Sequence, residues 1–406
     1  ALKALPARPS NLAALYMAQR SVGDQALALS ALEKDWTVPT KGRSPANHPQ
    51  VQLGKALLLA GSATQRALSI IQRVLAETTL WHEWPGLPAL YYLHASLSSR
   101  LGDPLAAWQS LEQALTLWPD EPHWHALAAE ILRAQPQPDL DSALEHLEQA
   151  ACLQPDCAMH YLALGKLLLE QGKAQPAARA LDQAAHLQPE REEAWLALAT
   201  ARQMSGDLEG AATSAERAIE TASDPTEALL LRGAISLQAN NPRGAFNRIQ
   251  TVLRSQPEHV KALQLNAQAL AAMDRPQEAL SALEKAIQVS GDDLHLCRQR
   301  IELLRQAKGS EAALQALQEL VERYPQRLEF QSMLAEALFA ANQFELGMDV
   351  AQAVLRASPD ILPAAQRSAL YYQVGRQMRR CGQLDQAVAQ LTAAVQHDPG
   401  QLDAWL

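Results

Sequence analysis

A proline returns at intervals of 34 or 68 residues through much of this chain: Pro155, Pro189, Pro257, Pro325 and Pro359, with Ser223 and Gly291 in the two skipped phases. A fixed period of this size means that one supersecondary unit is copied, and that each copy buries its apolar face only against its neighbours. In the same register Ala143, Ala177, Ala211, Ala245, Ala279 and Ala313 recur, followed by Gly347. A position that rejects side-chain volume marks a place where two helices touch. Seven residues later come Ala150, Ala184, Ala218, Val252, Ala286, Leu320 and Val354, and between the two sets lie Leu147, Leu181, Ala215, Ile249, Leu283, Leu317 and Ala351. Spacings of four and three place all of these on one helical face.

The first half of each unit carries another helical pattern, as in Tyr161, Leu164, Gly165 and Leu168, in Trp195, Leu198 and Ala199, or in Leu229, Gly233 and Ser236. Between the two patterns sit Gly172, Gly206, Asn240, Asp274, Lys308 and Asn342. Gly and Asn tolerate the left-handed conformation that ends helices, whereas Lys308 needs another geometry or the help of Gly309. The predicted unit is helix, turn, helix, proline.

This pattern resembles the tetratricopeptide repeat family, most closely over 158–191, where Tyr161, Leu164, Gly165, Leu168, Ala177, Leu181, Ala184 and Pro189 fill its signature positions. Arg300 and Ile301 depart from the expected Leu-Gly, and Gly347 replaces the helix-contact alanine. The resemblance implies an all-α, right-handed superhelical solenoid of about eleven hairpins. The phase places them near 9–40, 48–80, 88–120 and 121–157, then in six regular units over 158–361, then at 368–401. Three regions follow: diverged repeats with Pro- and Trp-rich loops over 1–120, a regular array over 121–361, and a last repeat over 362–406. Trp405 stands where the first aromatic of a further repeat belongs, so the expectation is that the polypeptide was cut from a longer protein.

Composition agrees with this class. Of 406 residues 48% are apolar but only 5% aromatic, with 18 Gly, which argues against sandwiches, barrels and nucleotide-binding α/β folds. The formal net charge of −9 repels phosphate backbones and anionic lipid, so nucleic acid is not an expected partner. Four cysteines without zinc spacing form no disulfide framework, and Cys152 and Cys157 read as small core filler. No apolar run is long enough to cross a bilayer and no signal pattern opens the chain, which points to the cytoplasm.

No catalytic constellation emerges, and neither a cofactor nor a metal is expected. His82-Glu83 lacks a second histidine at helical spacing, and Gly54-Lys55 lacks the rest of a phosphate loop. His123-Trp124-His125 needs ligands from elsewhere to hold a metal. Asp139, Asp141, Asp292 and Asp293 fall at helix starts, where carboxylates cap free N–H groups.

In the family the fifth, ninth and twelfth residues of each unit line the concave wall, and the resemblance therefore assigns that wall residue by residue. Here it reads Tyr92, Ser96, Ser99; His125, Ala129, Leu132; Leu162, Lys166, Leu169; Leu196, Thr200, Gln203; Leu230, Ala234, Leu237; Gln264, Gln268, Ala271; Arg298, Glu302, Arg305; Ser332, Glu336, Phe339; and Tyr372, Arg376, Arg379. Its middle is aliphatic and its C-terminal part basic. Such a groove suits a peptide or protein segment with apolar anchors and acidic residues. The same leucines would also serve to pack neighbouring units, and the arginines to solvate a surface. The Lys and Asn clamp of chaperone adaptors and the asparagine ladder of protein O-GlcNAc transferases are absent. Trp36, Trp81, Trp84, Trp108, Trp118 and Trp124, with Tyr91 and Tyr92, read more readily as packing of irregular repeats than as a partner site. The expected function is a non-enzymatic interaction scaffold. The alternative is a regulatory or sensor arm of a larger signalling or catalytic protein, and self-association through apolar repeat faces is open to either.

Overall fold

The alternation of small and large apolar residues is realised as hairpins of two helices each. The computed structural model describes residues 63–76, 86–291, 293–357 and 362–398, together with Gln52, Ala56 and Leu59. The expectations for Trp36, Gly54-Lys55, Trp81, His82-Glu83, Trp84, Asp292, Pro359, the repeat at 9–40, most of that at 48–80, and Trp405 with the rest of 401–406 lie outside the described residues.

Every described element is a helix. In chain order they are α1 (Thr64–Ala76), α2 (Leu87–Arg100), α3 (Pro104–Leu117), α4 (Pro122–Ala134), α5 (Leu140–Leu153), α6 (Ala158–Glu170), α7 (Ala174–Leu187), α8 (Glu192–Met204) and α9 (Leu208–Thr221). There follow α10 (Thr226–Gln238), α11 (Pro242–Ser255), α12 (Val260–Ala272), α13 (Pro276–Ser290), α14 (Leu294–Lys308), α15 (Ser310–Arg323), α16 (Leu328–Ala340), α17 (Phe344–Ala357), α18 (Ala364–Arg380) and α19 (Leu384–His397). Even numbers open a hairpin and odd numbers close it. The chain divides into two compact units, Ala1–Ala222 and Ser223–Leu406.

The turns within hairpins follow from single residues. Gly172 and Gly206 have φ of 72° and 86°, and Asn240, Asp274 and Asn342 adopt the same left-handed region at 55°, 60° and 61°. The next residue then often caps the second helix: Asp207 accepts from the Gly210 amide at 2.9 Å and Asn241 from the Gly244 amide at 2.9 Å. Each such cap contributes about 1 kcal/mol. Lys308 instead completes α14, and Gly309, at φ 91°, makes the turn one residue later. Asp139 and Asp293 cap α5 and α14 through the amides of Ser142 and of His295 and Leu296.

The hairpins close because side-chain volume is withheld where the helices meet. A Cβ on Gly165 of α6 would lie within the Leu181 side chain of α7, 2.7 Å from its Cδ2, and one on Gly375 of α18 would lie 2.8 Å from Leu391 Cγ in α19. Ala177, Ala211, Ala245 and Ala279 are wholly buried at the matching place on the second helices. Gly347 replaces that alanine because Phe339 occupies the space: an added Cβ would come within 3.1 Å of its ring.

In the first unit the core runs from Ala129 and Leu132 through Leu147, Leu162 and Leu181 to Leu198, and an aromatic cluster around Leu111, Trp124 and Ile131 precedes it. In the second unit it runs from Leu263 through Leu283, Ile301 and Leu317 to Phe330 and Leu338. Each leucine so enclosed stabilises its unit by about 1.5–3 kcal/mol before entropy is charged. Each closing helix also packs on the next opening helix of its unit. Opening helices touch one another as well, α2 with α4 and α6 with α8 in the first unit, α10 with α12 and α16 with α18 in the second. Each unit therefore presents a row of opening helices.

Gly165→Ala is expected to destabilise the first unit by about 1–3 kcal/mol through overpacking against Leu181. Leu181→Ala should cost less in that background than in the native chain, because it vacates the disputed space. Urea denaturation of the four proteins of this cycle checks the coupling; simple additivity would contradict the contact.

Candidate peptide-binding face

The opening-helix row carries the residues expected to meet a partner, and burial sorts them. Leu162 and Leu230 are only 2% and 3% exposed, enclosed between helices, and present no usable surface. Leu196 is half-buried, and Thr200 donates its hydroxyl to the Leu196 carbonyl at 2.9 Å within α8.

In the first unit the polar residues of the row engage one another. Lys166 on α6 pairs with Glu193 on α8, and that bond is the main cause holding the Glu193 carboxyl below its ordinary range. Arg133 on α4 pairs likewise with Glu170 on α6. Tyr92 stacks on Trp124 with ring centroids 5.6 Å apart, and Trp124 stacks on Trp118 at 6.0 Å. Burial pushes the Tyr92 phenol up, with Glu130 and Glu121 adding to it. Trp108, Trp118 and Trp124 thus belong to the packing of the first unit.

In the second unit Gln264 donates its amide to Gln299 at 3.1 Å, tying α12 to α14. Arg305 forks onto Glu302 of its own helix, at 2.9 and 2.6 Å, and the pair is exposed. Arg298 is exposed and stands near the half-buried Glu336, whose carboxyl burial raises while Arg298 draws it down. Tyr372 is half-buried and Arg379 exposed on α18.

One set does converge. Arg376 lines a cleft of about 520 Å³ between α16 and α18, together with Glu336, Phe339, Phe344, Gln373 and Arg380. The Arg380 guanidinium lies 5.6 Å from the centre of the Phe344 ring, a cation–π contact that fixes one wall. Sequence reasoning found Arg376, Glu336 and Phe339 but missed Arg380, Gln373 and Phe344, which lie outside the fifth, ninth and twelfth positions. The available signal was Arg380 at one helical turn beyond Arg376.

A second feature lies on the other side of the opening helices. The seventh residue of the unit, Leu164, Leu198 and Leu334 elsewhere, is polar in three successive repeats as Arg232, Asn266 and Arg300. Asn266 accepts from Gln250 at 3.1 Å and Arg300 reaches Glu284 at 3.4 Å. Beside them open clefts of about 360 and 230 Å³, lined by residues that correspond one repeat apart: Gln250, Leu253 and Leu263 in one, Glu284, Ile287 and Cys297 in the other. Only the Arg300 departure was noticed in the sequence.

No disulfide joins the four cysteines, and the reading of Cys152 and Cys157 as core filler needs correction. Cys152 is exposed because it falls on the outward face of the last turn of α5, and Cys157 is half-exposed just before α6; Cys297 is the buried one. Among the described residues no group of three or more His, Cys, Asp or Glu could hold a metal ion, and no helix is long and apolar enough to cross a membrane.

No curated protein matches the sequence. Among solved structures, MamA is 19% identical over 42% of this chain and 92% of its own, with a TM-score of 0.39. YrrB, described as a TPR protein with an unusual peptide-binding site, is 20% identical over 48% of this chain and 99% of its own, with a TM-score of 0.41. The human IFIT1 dimer with m7Gppp-AAAA is 12% identical over 94% of this chain and 92% of its own, at 0.45. The Tetratricopeptide repeat family model matches residues 137–177, 162–228, 230–293 and 299–360, together more than half of the sequence. With the 34-residue period, the hairpins and their glycine contacts already in place, the chain belongs to the tetratricopeptide repeat family.

Proposed function

We propose that the protein is a non-enzymatic interaction scaffold that holds an acidic peptide or protein segment on the opening-helix face of its second unit. Repeat arrays of this kind are interaction scaffolds whose exposed rows accept partners. The observation that carries the finer reading is the cleft between α16 and α18, where Arg376 and Arg380 stand beside Phe339 and Phe344. Guanidinium groups hold carboxylates in paired hydrogen bonds, and aromatic walls bury an apolar anchor next to them. Arg298 and Arg379 extend the basic surface, whereas Arg305, already forked onto Glu302, contributes less. The first unit offers fewer open cations, since Lys166 and Arg133 are engaged by Glu193 and Glu170. Within the second unit the half-buried Tyr372 and Gln264 are available to widen the contact, whereas Tyr92, Leu196 and Thr200 belong to the row of the first unit.

Immobilised intact protein and its Arg376→Glu/Arg380→Glu variant should retain different partners from the same extract, with Arg217→Glu, a reversal on the exposed surface of α9, retaining the native set. A synthetic peptide copying the bound segment of a lost partner should then bind the native protein at least tenfold more tightly than the double variant, a difference of about 1.4 kcal/mol. Equal retention and equal affinity would overturn the reading.

Glu336 adds a pH dependence. Burial raises its carboxyl while Arg298 draws it down, so it takes up a proton at higher pH than an ordinary carboxylate, and the cleft then loses a negative charge that opposes an anionic ligand. The same peptide should bind more tightly at pH 5 than at pH 7.5, and Glu336→Gln should tighten binding at pH 7.5 and flatten the slope. A slope unchanged in Glu336→Gln would contradict the placement of the ligand beside this group.

A further inference from the structure

Helices α2 to α6 carry five histidines, and four of them meet in two pairs. His125 on α4 and His146 on α5 face each other with their Nδ1 atoms 2.9 Å apart. His125 Nε2 lies 2.7 Å from the Pro119 carbonyl, which only accepts, so that nitrogen carries a hydrogen. In the neutral pair His125 Nδ1 is therefore the acceptor and His146 Nδ1 the donor. A first added proton, taken at His146 Nε2, leaves this bond intact, with an imidazolium donating through Nδ1 to a neutral imidazole. A second sets N–H against N–H.

The other pair joins α4 to α6. His123 and His160 have ring centroids 5.5 Å apart. His160 is 3% exposed, and its Nε2 is buried with no hydrogen-bond partner, so protonation there would enclose a cation beside a second ring. The charged neighbours are few: Glu121, at the α4 cap, faces His123, and Glu145 lies next to His146 on α5. The fifth histidine, His94 on α2, bonds Ser110 of α3 at 2.8 Å and has Asp103 near it. Trp108 of α3 meets the His146 ring edge-on at 5.9 Å.

We propose that the two imidazole pairs act as a proton-operated clasp, tying α4 to α5 and α6 at neutral pH and releasing these helices on acidification while the second unit stays folded. Burial, and then the partner ring, lowers the affinity of His146 and of His160 for protons, and burial lowers that of His94. Their folded values lie below the ordinary value of about 6.5, so below that pH the unfolded chain binds more protons than the folded one. The stabilisation is complete above that value and is lost progressively as the pH falls through it. The released segment includes Trp124, on which Tyr92 stacks, and α6 with Lys166, so acidification would dismantle that part of the opening-helix row.

Hydrogen exchange of the full chain at pH 7.5 and pH 5.0 tests this. Protection factors in α4 to α6 should fall at least tenfold, whereas those in α15 to α17, which contain no histidine, should stay within about threefold. Constant protection in α4 to α6, or an equal loss in both units, would overturn the proposal. The His146→Gln/His160→Leu variant should lose much less protection on acidification than the native chain. Should that variant fail to fold, histidine ring NMR of the native protein decides. At pH 7.5 His125 should carry its hydrogen on Nε2 and His146 on Nδ1, with His146 and His160 titrating below the free value. Titration at or above the free value refutes the clasp.

Discussion

The architecture depends on how closely two helices can approach. At Gly165, Gly233 and Gly375 the opening helix gives up its side chain, and Leu181, Ile249 and Leu391 of the closing helix fill the vacated space. The buried alanines one turn away, Ala177 and Ala245 among them, do the same from the other side. A glycine on one helix and an alanine on the other lock these three hairpins, and alanines such as Ala199, Ala267 and Ala335 stand at the glycine's place in others. Apolar surface left over on each hairpin is then covered by the next one within its unit, and the row of opening helices is a by-product of that stacking.

Specific chemistry arises where the repeat is broken. Gly347 yields to Phe339, which becomes a wall of the α16 and α18 cleft. Arg232, Asn266 and Arg300 replace a packing leucine, and clefts open beside Asn266 and Arg300, one repeat apart. The histidine pairs lie beside the tryptophan cluster, His123 and His125 flanking Trp124, and reach into the next repeat through His160. In each case the backbone is held by conserved spacing of small residues within the chain itself, which frees the altered side chains to differ without loss of the fold.

The fold was legible because its signal is periodic: Gly172, Asn240 and Asn342 announce turns, and Asp139 and Asp293 announce caps, by local stereochemistry alone. The site was less so. Register assigns Leu162 and Leu230 to an exposed wall, but whether a leucine there is covered depends on the size of its neighbours on the next helices, which register does not encode. Arg305 was a candidate by position, yet Glu302 lies one turn away and engages it. Lys308 was correctly suspect as a turn residue, since Gly309 does that work. Cys152 was misplaced because the end of α5 faces outward, and the meeting of His123 with His160 and of His125 with His146 spans 37 and 21 residues, beyond any local pattern.

The central claim is that a partner lies across opening helices of the second unit, beside Arg376 and Arg380, and not in the clefts next to Asn266 and Arg300. Side-chain NMR of the intact protein saturated with a bound partner segment tests it most directly. The account predicts that the guanidinium resonances of Arg376 and Arg380 and the ring resonances of Phe339 and Phe344 shift, while Asn266 and Arg300 stay still. Shifts confined to Asn266, Arg300 and their neighbours would contradict it.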